Sequence, residues 1–435
     1  MAARTPVIYL HVGAMKTGTS YLQQLMFDNK DALLAQGVLF PGEHPRAAQV
    51  VAVRDVLGLR TDEENRDRVD GAWSRLRAEM FAYEGRASVV SMEFLSFATP
   101  PKAAAVVRSL RGAEVHVILT VRDASRVIPA QWQETTQNRG TTAWPDYVAA
   151  ILAGRDSKNV GWRAFQRAMD IMRMLDAWGA AVPKERLHVV LVPAPGAPPD
   201  ELWTRFASVV GIDPGACTPP TAQRNTSLGY ASADLMRRVN SGLTDLGMQA
   251  YTKTVKSYLC KQVLSGRSGE PKVTTDRVLS EFALDWNRAM ADAIAKSGVH
   301  VVGEPDDLDV VPSQVSGLGL PPDELVLDAA RDAVHGLQKL IETRTTKLDA
   351  ARLEAPDAVE PSPEAPAVDI DGWDATEDPL GAAVSDVVVL VRHAVDLRAR
   401  LRRADGKPEG DTIFPETTDA GPGLVDKVLR RMRTR

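Results

Sequence analysis

Short apolar runs punctuate the chain at Val7–Val12, Ser88–Met92, Val115–Val121, Leu187–Pro193 and Val299–Val302. They are rich in β-branched residues and carry little polar alternation, the pattern of strands buried on both faces. Longer amphipathic segments separate them. A helix is predicted from about Ser20 to Leu34, directly after the first run, and Phe165 to Trp178 shows the helical period with Phe165, Met169, Met172 and Leu175 on one stripe. Strand and helix in alternation predict an α/β fold, a three-layer sandwich with a central parallel sheet flanked by helices. In such sheets ligands bind beyond the carboxyl ends of the strands, which gathers Lys16, Glu93 and Arg122 on one edge.

The pattern changes near Ala355. A helix is expected from Pro322 to Leu353, and then Glu354 to Pro379 is crowded with proline and acidic residues and shows no period. That composition predicts an extended, mostly disordered acidic linker. Helical spacing returns over Ala382–Arg403, with Val384, Val387, Val388, Val391 and Val395 on one face, and a last basic helix runs from Leu424 to Arg435. The expected organisation is an α/β domain over 1–350, the acidic linker over 351–380, and a helical C-terminal tail over 381–435 that docks on the domain or on a partner.

The first strand runs into Gly13-Ala-Met-Lys16-Thr17-Gly18-Thr19-Ser20 at the head of a helix. Strand, glycine loop and helix N-terminus form an anion cradle, because backbone N–H groups and the positive end of the helix dipole converge there. Lys16 adds a mobile charge, and Thr17, Thr19 and Ser20 add hydroxyls, so a phosphate or sulfate group is the expected ligand. A Walker A loop places its lysine after the last glycine; here Lys16 precedes Gly18. The strand Val115–Val121 ends in Arg122-Asp123-Ala124-Ser125, where the guanidinium fork of Arg122 suits a second phosphate.

These two segments resemble the sulfotransferases that use 3′-phosphoadenosine-5′-phosphosulfate (PAPS), whose first loop reads P-K-[ST]-G-T-[TS] and whose second carries Arg-[ND]-Pro. Met15 stands in place of the first proline and Ala124 in place of the second. The resemblance implies that Gly13, Lys16, Thr17, Gly18, Thr19 and Ser20 hold the 5′-phosphosulfate end of PAPS and that Arg122 holds its 3′-phosphate. The family's phosphate-binding serine falls on Ala130, and Ser125 is the nearby candidate to replace it. Leu202-Trp-Thr-Arg-Phe206, Asn225-Thr-Ser-Leu-Gly229 and Leu187–Pro193 further resemble an actinobacterial branch of sulfotransferase-like proteins. Gly266-Arg267-Ser268-Gly269 with Lys272 is similar to the glycine-basic loop that closes over the 3′-phosphate in some members. The implied activity is sulfuryl transfer to a hydroxyl, or an amine, of a small-molecule or glycan acceptor.

Such transfer needs charge neutralised on the leaving oxygen and a proton removed from the acceptor. Lys16 suits the first task. Glu93, at the end of the strand Ser88–Met92, and His44, in the loop Pro41-Gly-Glu-His44, are the alternatives for the base. His11, inside the first strand, reads as a packed or hydrogen-bonded core residue, and Arg224, Asn225 and Ser227 as either site-lining or helix-capping.

Composition narrows the remaining classes. A net charge of −5 gives no overall attraction for nucleic acid. Cys217 and Cys260 are the two cysteines and have no metal-ligand spacing around them, so no metal is expected. No apolar run reaches membrane-spanning length, and the N-terminus leads straight into the first strand without a signal peptide, which points to a cytoplasmic protein. Two readings stand beside sulfuryl transfer: a nucleotide-dependent, kinase-like phosphotransferase, and a non-catalytic nucleotide-binding relative of the sulfotransferases.

Overall fold

The computed structural model describes residues 4–59, 66–154, 160–219, 228–273, 275–310 and 319–406. The strands are β1 (Val7–Gly13), β2 (Val38–Leu39), β3 (Ala87–Ser91), β4 (Glu114–Val121), β5 (Leu187–Leu191) and β6 (His300–Val302). They form one all-parallel sheet in the order β2-β3-β1-β4-β5-β6, flanked by helices. The predicted runs are all strands; β2, a two-residue edge pairing with no periodicity of its own, is an addition.

The helices that precede β4 are α1 (Thr19–Asp28), α2 (Lys30–Ala35), α3 (Pro45–Val56), α4 (Arg66–Val69), α5 (Ala72–Ala82) and α6 (Pro100–Ser109). Between β4 and β6 come α7 (Ala124–Gln137), α8 (Trp144–Leu152), α9 (Val160–Met169), α10 (Ile171–Gly179), α11 (Glu201–Val210), α12 (Tyr230–Ser241), α13 (Met248–Tyr251) and α14 (Arg277–Ser297). The long pair α15 (Asp323–Glu354) and α16 (Pro379–Ala404) follows.

The contacts divide the chain into two compact units. One comprises 1–128, 151–224 and 275–314; the other 129–150, 225–274 and 315–435. The first unit contains the sheet. On one sheet face, Leu22, Leu25 and Met26 of α1 and Trp203, Phe206 and Val210 of α11 pack with Val89, Ile118 and Val190. Burying such side chains completely is what holds the layer, at about 1.5–3 kcal/mol each.

In the second unit α12, α15 and α16 pack together, and Asn240 of α12 donates to the carbonyls of Thr136 and Gly140 at 2.8 and 2.9 Å. The acidic stretch expected to be a mostly disordered linker is described and anchored. Val359 and Trp373 are buried, the Trp373 indole donates to Asp386 at 2.7 Å, Ser362 donates to Asp349 at 2.6 Å, and Arg400 pairs with Glu360 at 2.8 Å. Two apolar anchors and these polar ties outweigh a composition that disfavours order. The expected basic helix Leu424–Arg435 lies outside the described residues, as do Arg224, Asn225 and Ser227.

Candidate functional site

At the carboxyl edge of the sheet, β1 stops matching β4 one residue at a time. His11 pairs with Ile118 and Gly13 with Leu119, so two residues of β1 oppose one of β4. This bulge bends the chain out of the sheet at the mouth of the first loop. Gly13 follows at φ 88°, and a Cβ there would stand 3.3 Å from the Glu93 Cβ, so Glu93 packs directly against the loop. Lys16 adopts φ 62°, a left-handed conformation rare for a residue with a side chain, and is half-buried. Gly18 at φ 87° opens α1, and no side chain caps that helix start.

A hydrogen-bonded chain holds the loop from beneath. Thr17 Oγ1 donates to the Ala14 carbonyl at 2.6 Å and therefore accepts from Thr120 Oγ1, also at 2.6 Å. Thr120 in turn accepts from His11 Nε2 at 3.1 Å, which leaves His11 Nδ1 to accept from Ser91 Oγ at 2.8 Å. Every member is buried. Full burial pushes the pKa of His11 down to about 3, and in the resulting neutral ring, with Nε2 donating, Nδ1 can only accept. His11 is thus the core residue expected of it. The hydroxyl of Thr19 also turns inward, donating to Ala14 at 3.3 Å, whereas Ser20 is exposed on the first turn of α1. Thr17 and Thr19 shape the loop with their hydroxyls and can offer an anion only their backbone N–H groups.

Arg122, at the end of β4, donates from Nη1 to the Lys16 carbonyl at 3.3 Å, tying the second motif to the first. Burial, with Arg126 beside it, holds its pKa down to about 10, so the guanidinium stays charged at neutral pH. Its Nε is buried without a hydrogen-bond partner. A small crevice beside Arg122 is lined by Ala14, Thr17, Ala124, Phe165, Met169 and Trp286. Asp123, fully buried, accepts from the Arg126 backbone at 2.9 Å and also from the Arg126 and Ser125 side chains. Ser125 is therefore engaged in closing the head of α7.

Glu93 is 6% exposed, and its Oε2 accepts from Gln23 Nε2 at 3.2 Å. The same amide nitrogen donates to the Ser91 carbonyl at 2.9 Å, which sets Gln23 between α1 and the end of β3 and holds the carboxylate toward the loop. His44 lies exposed at the start of α3, and no described hydrogen bond joins it to Lys16, Glu93 or Arg122. The edge thus brings Gly13, Lys16, Glu93 and Arg122 together.

The glycine-basic loop behaves otherwise than its likeness implies. Arg267, in the second unit, is bound by Glu270 at 3.3 Å, Asp328 at 2.8 Å and Asp332. Three carboxylates already compensate its charge.

Thr120, Gln23 and Asn287 carry structural roles at the site that the motifs did not single out. Thr120 had a faint signal, a hydroxyl inside an otherwise apolar run. Gln23 and Asn287 sit in ordinary helical sequence and gave none. Among the described residues, no group of three or more His, Cys, Asp or Glu could hold a metal ion, and no helix is long and apolar enough to cross a membrane. No protein-family model matches the chain, and no curated protein matches it. Fold and site define an all-parallel α/β protein with a glycine-rich, cationic loop at the carboxyl edge of its sheet.

Proposed function

We propose that the chain is a sulfotransferase that moves the sulfuryl group of PAPS to a hydroxyl, or an amine, of a small-molecule or glycan acceptor in the cytoplasm. The observation that carries this reading is the loop itself. An uncapped helix start, a left-handed lysine and a half-buried, incompletely hydrogen-bonded arginine meet at one strand edge, with a carboxylate packed against the same glycine. Two separate cationic groups favour a ligand with two anionic ends. The residues fit the donor: Lys16, Gly18 and the first-turn amides of α1 suit its phosphosulfate, and Arg122 its 3′-phosphate.

When bound, the donor supplies an activated sulfuryl group on a phosphate leaving group. The chain's own part is positioning and charge. Lys16 neutralises the oxygen on which charge develops, and the loop amides fix the group in line. Glu93 takes the proton of the acceptor hydroxyl as its oxygen forms the new bond to sulfur. Gln23 holds one oxygen of that carboxylate and so helps to orient it.

Calorimetric titration of the full chain with adenosine 3′,5′-bisphosphate, 5′-AMP and Mg·ATP tests the proposal. Micromolar binding that requires the 3′-phosphate is expected, together with transfer that is abolished in Lys16→Ala and lowered about a hundredfold or more in Glu93→Gln. A preference for Mg·ATP would transfer the site to a kinase-like phosphotransferase, and bisphosphate binding without turnover on any acceptor to a non-catalytic relative.

A further inference from the structure

Asn287 of α14 is 3% exposed, and its Oδ1 accepts from the backbone N–H of Ala124, 163 residues away in sequence, at 2.8 Å. Because only the amide oxygen can accept, that bond fixes the orientation of the side chain. Its Nδ2 is then left as a buried donor with no partner. Two residues before Ala124, Arg122 holds a second buried donor without a partner, Nε. Arg122 and Ala124 line the crevice together with Trp286, the residue before Asn287, and Met290, about one turn further along α14. Buried donors are almost always satisfied, and two beside one crevice, one of them on a cation, call for an acceptor-rich anionic group.

We infer that Asn287 is an anion ligand that works with Arg122, and that the pair selects nucleotides carrying a phosphate on the ribose in addition to the one held by the first loop. The inference rests on the donor reading above. Asn287 then supplies, from a distant helix, the neutral hydrogen bond that Ala130 cannot make. The Ala124 bond keeps the amide aimed, so the donor is set before the ligand arrives.

The test measures affinity of the full chain for adenosine 3′,5′-bisphosphate and for 5′-AMP in wild type and in Asn287→Asp. Aspartate keeps an oxygen for the Ala124 N–H and replaces the donor with a charge that repels the phosphate. Bisphosphate affinity should fall about a hundredfold, while 5′-AMP affinity changes by less than about threefold. A thermal melt serves as the folding control. Should Asn287→Asp fail to fold, Asn287→Ser replaces it, with an expected loss of about tenfold for the bisphosphate alone. Unchanged discrimination between the two nucleotides in a folded variant would overturn the role of Asn287 and leave the donor reading standing. A wild-type protein indifferent to the 3′-phosphate would overturn the donor reading, and the inference with it.

Discussion

Thr120 illustrates how much one hydroxyl organises. It accepts from His11 and donates to Thr17, so it joins the sheet interior to the loop in a single direction of hydrogen bonding. Thr120→Val keeps the shape and β-propensity of the side chain but strands the buried His11 N–H. The expected cost is about 1–3 kcal/mol, read as a lowered urea midpoint with an unchanged slope. Equal midpoints would mean that the chain of hydrogen bonds contributes nothing to holding the loop. At this scale the sequence showed the charged and glycine residues of the site, because loop chemistry follows residue type. It did not show Gln23 or Asn287, whose roles depend on which partner a distant backbone brings to them.

Periodicity located the helices and misjudged where they break. The helix expected from Ser20 to Leu34 is two, interrupted at Asn29, whose side chain donates to Leu25 and Thr218 carbonyls and accepts from the Thr218 N–H. Asparagine competes with the helix ladder whenever a tertiary partner supplies the second bond. Asp170 likewise divides the stripe expected from Phe165 to Trp178. Its carboxylate accepts from the Arg173 N–H at 3.0 Å and caps α10, and the register of burial shifts so that Met174, not Met172, is fully enclosed. Asp170→Ala should lower stability by about 1–2 kcal/mol, measured by denaturant unfolding; a change of a few tenths would show that the break is set by packing alone. In α16 the buried stripe is Ala383, Val387, Leu390, Val391, Ala394 and Leu397, so Val384, Val388 and Val395 lie at its margin. Counting valines put the stripe slightly off because two of its buried positions, Ala383 and Ala394, are small alanines that say little on a hydropathy scale.

Across the whole molecule, buried histidines link stability to acid. His11 is held down to about 3 by burial, and His188 down to about 4 by burial with the nearby imidazoles of His116 and His300. Both lie below the ordinary value of 6.5, so between pH 6.5 and about 4 the unfolded chain takes up protons that the folded chain refuses. Their contribution is complete above pH 6.5 and declines as pH falls, by a total on the order of a few kcal/mol. Unfolding midpoints measured from pH 7.5 to 4 should fall, and His188→Gln should flatten part of that slope; a parallel profile in the variant would remove His188 as a source.

The sequence by itself determined the class of fold, the strand that carries each motif and the edge on which those motifs meet, because alternation of buried strands and amphipathic helices admits few parallel sheets. It also marked the first loop as the place for the proposed anion site, since glycine, lysine and a helix start together favour an anion. The tertiary structure alone decided the division into two units, the anchoring of the acidic stretch through Val359 and Trp373, and the polar partners of Arg122, Glu93 and Ala124. Those are contacts between residues far apart in the chain, and no local pattern encodes which of many similar side chains will face one another once the core has closed.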